Sequence, residues 1–480
     1  MLLNELRDPE IALFRNIRYL STDDWDKFDT DTGQYLCADD TDNSINDPQL
    51  LSKKKPRKIH NPRSCHYSIG NYSSCAYYDK FLSEQTIITP GGHECTVREQ
   101  THQLSLNPKS TFRAWFRMPL YKVQELAARF IDEQWLALSK HCRTEHKLQI
   151  KSELLVMGAL AVLGGTIASF RQLPTMTNIC ATEHSKFFLL FVRKLATIQE
   201  EYIYLPRDEE ELKAVMSRYE EVGLPGAMGS MDVVHVKWSN CPAGDFNRAK
   251  GKESYPSLAF ECISDFDRRI CHVFGPQFGS RNDKHIVKMD GGVAAISTDW
   301  YSAVPWKCYD VSGEVIEEQG AYLICDNGYL QWPTTICPYM RSQTNSSRES
   351  AFSANIESVR KDVECVFGIL KARWGSLDRG FKHRGIQINQ QVFIACCVLH
   401  NMMLDEMDRE EVQRICRGSP MPNDGMWISG PRDPIQSNSR GNKKEKERNK
   451  LLSTEFHRRR DLLADHIRIW KMKSNDHNNI

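Results

Sequence analysis

The sequence lacks the features of a secreted, disulfide-bonded or membrane-spanning protein. Its 16 cysteines are spread over 480 residues without a C-x-x-C pair, which favours reduced thiols packed as small hydrophobic side chains. The longest apolar run, Leu154 to Phe170, is short for a membrane span and contains three glycines, so we predict a buried helix or helix pair there. The N-terminal stretch carries the charged Glu5 and no apolar run long enough for a signal peptide. We therefore expect no membrane partner.

The sequence also has no excess of positive or negative charge. Lys and Arg number 63 and Asp and Glu 62, so the net charge is +1 and composition alone does not indicate an anionic partner. Local charge is uneven, because nine aspartates between Asp23 and Asp47 precede the basic cluster Lys53–Arg63. This cluster is as compatible with a solvated linker as with a nuclear-import signal or phosphate-contacting arm. The predicted DNA contacts in the arm are Lys53, Lys54, Lys55 and Arg57.

Cysteines and histidines near the N-terminus offer one alternative, a zinc site. The residues close enough in sequence are Cys65, His66, Cys75, His93 and Cys95. Their spacing does not match an established zinc pattern. A zinc site is therefore the less favoured interpretation of this segment.

Shifts in composition divide the chain into four predicted segments. Residues 1–100 form a largely disordered acidic and basic arm, residues 101–205 are helical, residues 206–410 alternate strands with helices, and residues 411–480 contain a linker and a charged C-terminal helix. In the helical segment, apolar residues recur at helical spacing from Phe112 to Ala127 with a break at Pro119. Short helices joined by turns are typical of a helix-turn-helix DNA-binding region and also of a plain helical bundle.

The third segment carries the pattern of a mixed α/β fold. A β-rich run covers Met231–Trp238, and Ser257–Ile263 with Arg269–Phe274 are predicted to form a hairpin. The short apolar strand Ala321–Cys325 follows, and Ala354–Trp374 is predicted as a long helix. A second buried helix is predicted over residues 392–403. Antiparallel strands, a later central strand and flanking helices indicate a layered α/β architecture.

Three carboxylates occupy positions where such a fold exposes functional groups. Asp232 lies at the start of the first β-run, Asp326 ends the short apolar strand, and Glu364 lies beside the apolar stripe of the long helix. Two Mg²⁺ or Mn²⁺ ions that cleave a phosphodiester bond require hard oxygen ligands of this type. Each acid also has a structural alternative, as a turn residue, a cap, and an ion-pair partner of Arg360 and Lys361, respectively.

Five short motifs follow one another in this part of the chain. They are GLPGAMGSMDVVHVKWSNCPAG (Gly223–Gly244), FGSRNDKHI (Phe278–Ile286), LICDNGYLQWPTTICPY (Leu323–Tyr339), VRKDVECVFGILKARWGSL (Val359–Leu377) and CCVLHNMM (Cys396–Met403). In composition and order they resemble the motifs of the PIF/Harbinger superfamily of DDE transposases, including its plant transposon proteins. The resemblance covers roughly residues 110–405.

The resemblance implies a ribonuclease-H-like mixed sheet with flanking helices, preceded by an α-helical helix-turn-helix region. It implies that Asp232 lies on the first strand, Asp326 after the fourth and Glu364 on a following helix. All three would then be catalytic residues and ligands of two divalent metal ions, Mg²⁺ or Mn²⁺. The implied activity is an endonuclease that cuts DNA at transposon ends and joins the ends to target DNA in the nucleus. The implied partners are the terminal repeats, the target DNA, a Myb-like accessory protein and a further copy of the chain.

Residues near the three acids extend these expectations. His235 follows Asp232 by three positions, so on a regular strand it points to the opposite face and is predicted to support the site rather than bind metal. Asn282 and Asp283 are more consistent with a structural role than with a direct catalytic one. Phosphate contacts are predicted at Arg248, Lys371 and Arg373, with surface solvation as the equal alternative.

Three functions compete at this stage. The first is an active transposase nuclease, which the presence of all three acids favours. The second is a domesticated or inactive relative that binds DNA or a protein, and Val233 leaves room for it because many family members carry a small residue or Cys after the aspartate. The third, a hydrolase of small phosphoesters, is disfavoured by the basic segments and by the motifs.

Overall fold

The computed structural model describes residues 28–29, 34–35, 75–88, 92–96, 111–133, 135, 152–340, 346–405 and 443–477. The chain divides into two compact units, one of Met1–Val162 with Thr166–Phe188 and the other of Leu163–Gly165 with Leu189–Ile480. The basic cluster Lys53–Arg63, together with Cys65 and His66, lies outside the described residues. The four-segment division and the helix-turn-helix assignment therefore stay predictions.

The described residues of the first unit form two pairs of short strands and several helices. The strands are β1 (Phe28–Asp29), β2 (Gln34–Tyr35), β3 (Thr86–Ile88) and β4 (Glu94–Thr96), and both pairs are antiparallel. The helices are α1 (Thr111–Phe116), α2 (Leu120–Asp132), α3 (Ser152–Leu163) and α4 (Pro174–Thr177), after which α5 (Ala181–Thr197) leads into the second unit. A π-helical turn covers Tyr78–Leu82 and a 3-10 turn covers Phe170–Gln172.

The helical spacing recognised in the sequence is confirmed in this unit. Phe112, Phe116, Leu120, Val123 and Ala127 are all buried, as expected for an apolar stripe with a period of 3.6 residues. The predicted break is present as well, because the residue before α2 is a proline with extended backbone, φ −66° and ψ 154°. Its ring fixes φ and removes a backbone donor, which is tolerated only at a helix start.

The second unit is a mixed α/β structure. Its strands are β5 (Ala227–Lys237), β6 (Ser257–Ser264), β7 (Ile270–Phe278), β8 (Pro305–Tyr309), β9 (Val315–Gln319), β10 (Tyr322–Ile324) and β11 (Thr335–Ile336). Its helices are α6 (Gln199–Tyr202), α7 (Glu209–Glu220), α8 (Phe246–Ala249), α9 (Asp283–Met289), α10 (Gly291–Thr298), α11 (Ser347–Arg373), α12 (Gly375–Asp378), α13 (Ile386–Leu404) and α14 (Lys443–His477), with a 3-10 turn at Trp300–Ala303.

A five-stranded sheet with the order β11-β10-β5-β6-β7 forms the centre of this unit. Strands β5, β6 and β7 are antiparallel, whereas β10 runs parallel to both β5 and β11. Every residue of β6 is buried, as expected for a strand covered on both faces. The predicted β-run, hairpin and short strand are thus confirmed, and a separate hairpin, β8 with β9, lies outside the sheet.

The long helix α11 packs on the sheet through an apolar stripe that includes Phe352, Ile356, Val359 and Val363. It begins with a capping box, in which Ser346 Oγ accepts from the backbone N–H of Glu349 and the Glu349 carboxylate accepts from that of Ser346. Such reciprocal capping satisfies donors that a helix start leaves open. The predicted helix over residues 354–374 is therefore confirmed, and it extends further towards the N-terminus.

The C-terminal helix α14 is part of the second unit's core. Phe456, Leu463, Ala464 and Ile467 are fully buried in the same apolar cluster as the sheet and α11. The composition of residues 411–480 predicts a linker and a charged helix instead. The charged pattern hid an apolar stripe, because the basic residues on the other faces dominate the composition of this helix.

The cysteines in the described part of the chain are all free thiols. Cys396 and Cys397 are fully buried in α13, which agrees with their expected role as small hydrophobic side chains. Among the described helices, none is both long enough and apolar enough to cross a membrane.

Candidate active site

Asp232 lies in the middle of the sheet on β5, opposite Cys262 of β6. Its side chain is 22% exposed, and its Oδ1 accepts a 2.8 Å hydrogen bond from the backbone N–H of Val233. Burial and the negative charge of Asp326 raise its pKa to about 7, although Arg360 acts in the opposite direction. The positive charge of Arg360 therefore offsets only part of the pKa rise that burial and Asp326 cause.

Asp326 follows β10, which lies next to β5 in the sheet. The two strands are parallel with Ile324 opposite Ser230, so Asp326 and Asp232 each lie two residues further along and come level with each other, at the edge formed by the C-terminal end of β10. The ends of such strands are where a sheet exposes functional groups. The Oδ1 of Asp326 accepts a 2.7 Å hydrogen bond from the backbone N–H of Gly328, which orients the carboxylate.

Glu364 points from α11 towards the same place and is joined to Asp232 by an arginine. The Arg360 guanidinium lies 2.7 Å from Glu364 Oε1 and 3.4 Å from Asp232 Oδ2, both through Nη1. Arg360 is one helical turn before Glu364, the spacing at which side chains meet on a helix. Burial opposes the charge of Arg360, yet Glu364, Asp232 and Asp326 together raise its pKa. Two of the acids therefore contact one buried cation, and the charge of the third acts on it as well.

The ion pair between Arg360 and Glu364 is the structural alternative that the sequence left open. The ion pair and the candidate site are one arrangement, because the same arginine also contacts Asp232. The motifs do not indicate a role for Arg360 in the site. Its position four residues before Glu364 was the available signal, because a cation at this spacing can face the same side of the helix.

Asp283 is a fourth acid at this edge. A Cβ placed on Gly328 would lie 2.8 Å from Asp326 Oδ1 and 2.9 Å from Asp283 Oδ2, so both carboxylates border the same small space. Lys252 approaches Asp283 at 3.9 Å. Asp283 was expected to be structural, and its closeness to Asp326 makes it a neighbour of the candidate site.

Asn282 and His235 make hydrogen bonds to the elements that flank the site. Asn282 caps α9, accepting from the backbone N–H of His285 at 3.0 Å. His235 Nδ1 is 3.1 Å from the hydroxyl of Ser257, and burial, with the positive charges of Lys252 and Lys371, lowers its pKa to about 4. A neutral histidine bonded to a serine on the next strand fits the supporting position predicted for it.

A second group of buried acids adjoins the site and was not anticipated from the sequence. Glu261 of β6 is fully buried, and burial together with the neighbouring Asp290 raises its pKa to about 10. Asp290 caps α10 and lies 2.7 Å from His272 Nε2. Burial opposes ionisation of Asp290, but the contact with His272 lowers its pKa overall. Burial and coupling thus move the pKa values of these two acids in opposite directions. Glu261 sits in an apolar strand pattern, where nothing in the sequence marks an acid as buried.

The ligand types at the site suit divalent metal ions, but their arrangement does not. Carboxylate oxygens from three elements are the hard ligands that Mg²⁺ and Mn²⁺ require. In the part of the chain that the structure describes, however, no group of three or more His, Cys, Asp or Glu side chains is arranged to hold a metal ion. At this site, the Arg360 guanidinium contacts both Asp232 and Glu364.

The same finding bears on the zinc alternative. Cys75 is buried, and its sulfur accepts a 3.3 Å hydrogen bond from the backbone N–H of Tyr78. His93 and Cys95 belong to the segment around β4. None of these three described residues belongs to a metal-holding group.

Basic side chains lie on the side of the acid cluster towards which β5 runs. Arg248 is 64% exposed and stacks on Phe278 at 4.1 Å, and Lys237 lies over the ring of Tyr255 at 5.5 Å. Lys371 and Arg373 form the last turn of α11 and are partly buried; burial lowers the pKa of Lys371. Their contacts with DNA stay predictions.

Comparison with known proteins identifies related sequences. Residues 200–411 match the family described as plant transposon protein. The HARBI1 proteins of Rattus norvegicus and Homo sapiens, named as candidate nucleases, are 22% and 21% identical over 275 and 266 residues; both matches cover 55% of this chain and 70% of the relative. The Arabidopsis thaliana protein Antagonist of Like Heterochromatin Protein 1 is 20% identical over 216 residues, which is 45% of this chain and 53% of that protein. No solved structure matches the chain.

Fold and site together define an α/β protein with an acidic candidate active site at one edge of a mixed sheet. Within residues 200–411 all three acids fall inside the family match. The family match and the similarity to the HARBI1 proteins support a relationship to the Harbinger-type DDE transposases, in agreement with the motifs in the sequence.

Proposed function

We propose that this chain is a DNA endonuclease of the DDE transposase type, which cuts DNA at transposon ends and joins the ends to target DNA. Asp232, Asp326 and Glu364 are its catalytic acids. The observation that carries the proposal is the arrangement of these acids around Arg360, from a strand, a strand end and a helix that are far apart in the sequence. Acids held close together repel one another and lower stability. A protein that only binds a partner has no need for such an arrangement, whereas a nuclease does.

The proposal includes a ribonuclease-H-like fold for the second unit. Three antiparallel strands followed by two parallel ones, in the order third-second-first-fourth-fifth, support it. In this numbering Asp232 lies on the first strand, Asp326 follows the fourth and Glu364 lies on a later helix, as the family resemblance implies.

The proposed cofactors are two divalent ions, Mg²⁺ or Mn²⁺. Such ions supply charge neutralisation and activation of the attacking hydroxyl in phosphodiester cleavage, and Asp232, Asp326 and Glu364 are the residues that would hold them. Within the protein, the Gly328 N–H orients Asp326 and the Val233 N–H orients Asp232. Both carboxylates are thus fixed by backbone donors before a substrate arrives, which is the preorganisation that such sites require.

The proposed substrates are duplex DNA with terminal repeats and the target DNA. Arg248 over Phe278 and Lys237 over Tyr255 offer cations held on aromatic rings, an arrangement suited to phosphate contacts beside the cut. Nuclear localisation, a Myb-like accessory protein and a second copy of the chain belong to the same proposal through the family.

The proposal is tested by incubating the purified chain with supercoiled plasmid and Mn²⁺ or Mg²⁺. We expect the wild type to convert the plasmid to the nicked form and Asp326→Asn to be inactive. Glu317→Gln, a change to an exposed acid of β9, serves as the matched control and should behave as the wild type. Equal nicking by the wild type and by Asp326→Asn would overturn the proposal.

A second candidate function is a transposase-derived factor that binds DNA or a protein without cutting. Two observations favour it, namely the arginine between the acids and the similarity to the Arabidopsis protein named as an antagonist of a heterochromatin protein. A wild type that binds duplex DNA but nicks no more than Asp326→Asn, at any Mn²⁺ concentration, would support this second function.

A further inference from the structure

We propose that Arg360 is a built-in counter-ion that holds the acid cluster in a closed, cation-free arrangement and must leave Asp232 before a divalent ion is bound. The inference rests on the proposed function, since it concerns the same acids. It makes Arg360 a positioning residue that competes with metal for the carboxylates.

The position of Arg360 carries the first part of the argument. Its side chain is only 10% exposed and its Nη1 touches acids from two elements, Asp232 at 3.4 Å and Glu364 at 2.7 Å. A buried guanidinium is stable when anions compensate its lost hydration. These two acids therefore neutralise Arg360, and Arg360 in turn keeps them from repelling each other.

The contacts also show how Arg360 can leave. Only Nη1 is engaged with the acids, and the Nε of Arg360 is buried without a hydrogen-bond partner among the described residues. The longer contact is the one to Asp232, on the sheet. The shorter contact is to Glu364, one turn away on the same helix. Rotation of the Arg360 side chain away from Asp232 would therefore break only the longer contact. The Nε–H group could then donate a hydrogen bond to another acceptor.

A metal ion and the guanidinium cannot both occupy this place. Both are cations that would draw on the same oxygens, and two positive charges a few ångströms apart repel strongly in a site of low dielectric. Binding of metal by the acids therefore carries the cost of displacing Arg360.

Removal of the guanidinium should strengthen Mn²⁺ binding and weaken the metal-free fold. Arg360→Gln keeps a polar, though shorter, side chain and removes the competing charge, so the Mn²⁺ dissociation constant should fall by about tenfold or more. In the absence of metal the same variant should be less stable than the wild type, because the acids are no longer neutralised. Mn²⁺ should then raise its melting temperature more than it raises that of the wild type.

The experiment is a titration of the full-length chain with Mn²⁺ alone, without DNA, followed by the electron paramagnetic resonance signal of free Mn²⁺ and by thermal unfolding. Arg360→Gln is compared with Lys361→Gln, which removes the exposed neighbouring cation and should leave Mn²⁺ affinity near the wild-type value. Arg360→Lys retains a charge on a shorter point donor, so its affinity should lie between the two. It also provides a folded variant if Arg360→Gln unfolds.

The outcomes separate this inference from the proposed function. Tighter Mn²⁺ binding by Arg360→Gln, lost again in Arg360→Gln combined with Asp326→Asn, supports the counter-ion role whether or not any form nicks DNA. Unchanged or weaker binding in Arg360→Gln and Arg360→Lys would overturn it, and so would the absence of Mn²⁺ binding in every form. A wild type that nicks plasmid while Arg360→Gln binds Mn²⁺ no better would uphold the nuclease and reject the counter-ion.

Discussion

The side-chain amide of Asn401 pairs with the backbone of Ile270 in both directions. Asn401 Oδ1 accepts from the Ile270 N–H at 3.1 Å, and Asn401 Nδ2 donates to the Ile270 carbonyl at 2.8 Å and to the Tyr202 carbonyl at 2.7 Å. Asn401 is fully buried on α13. It therefore continues the hydrogen bonding of β7 at the start of the strand and joins the sheet to two helices, which explains the asparagine of the CCVLHNMM motif in structural terms.

Replacing this asparagine is expected to lower stability without touching the acids. Asn401→Leu removes three hydrogen bonds and leaves buried backbone groups of Ile270 unsatisfied, so the free energy of unfolding should fall by about 2–4 kcal/mol. Urea denaturation measures it. Gln387→Ala, at an exposed position of the same helix, should change it by less than about 0.5 kcal/mol. Similar losses in both variants would show that the pairing contributes nothing specific.

Two adjacent arginines of α14 are expected to differ sharply in their effect. Buried Arg459 donates to the carbonyls of Gly320, Pro333 and Gln319, so Arg459→Met should cost about 3 kcal/mol through unsatisfied acceptors. Arg458 is 47% exposed and pairs with Glu318 and Glu455; Arg458→Met should cost at most about 1 kcal/mol. Thermal and urea unfolding of both variants test whether α14 is fixed by these carbonyl contacts. A larger loss from Arg458→Met than from Arg459→Met would contradict that account.

Stability is expected to depend on pH through His466. Its Nδ1 accepts a 2.9 Å hydrogen bond from the Tyr309 N–H, and burial lowers its pKa to about 4. The unfolded chain, with an ordinary histidine pKa near 6.5, binds more protons between these values, so stability falls as pH drops from about 6.5 to 4. Protonation also turns the Nδ1 acceptor into a donor that faces another donor.

The measurement is urea unfolding at several pH values for the wild type and His466→Gln. Other buried histidines contribute to the same acid limb, so the difference between the two proteins isolates His466. We expect the wild type to lose about 2–3 kcal/mol more than the variant over this range. Parallel curves would mean that His466 titrates alike in the folded and unfolded states.

A methyl group on Gly328 is expected to separate activity from stability. A Cβ there would come within 3 Å of both Asp326 Oδ1 and Asp283 Oδ2, so Gly328→Ala displaces the carboxylates. Neither Gly328 nor Gly244 has a positive φ, and a Cβ on Gly244 meets nothing within 4 Å. Under the proposed function, plasmid nicking should fall about a hundredfold in Gly328→Ala and stay unchanged in Gly244→Ala. Retained nicking by Gly328→Ala would remove Asp326 from the reaction.

The sequence by itself determined the main strands and the two long buried helices of the second unit, and its motifs indicated the family that it resembles. β-Rich runs predicted β5, β6 and β7, and an apolar stripe predicted α11, because these patterns reflect which residues must be buried along one element. Asp232, Asp326 and Glu364 could be selected because a strand end and a helix face are local properties. The burial of α14 was missed, since its charged residues outweigh a narrow apolar stripe.

Only the tertiary structure decided what lies between the acids. Whether Arg360 faces solvent or Asp232 depends on the rotation of α11 against β5, and the approach of Asp283 to Asp326 depends on how two loops pack around Gly328. The raised pKa of Glu261 likewise arises from its burial beside Asp290. Such distances between residues far apart in the chain are set by packing of whole elements, so no local pattern in the sequence encodes them.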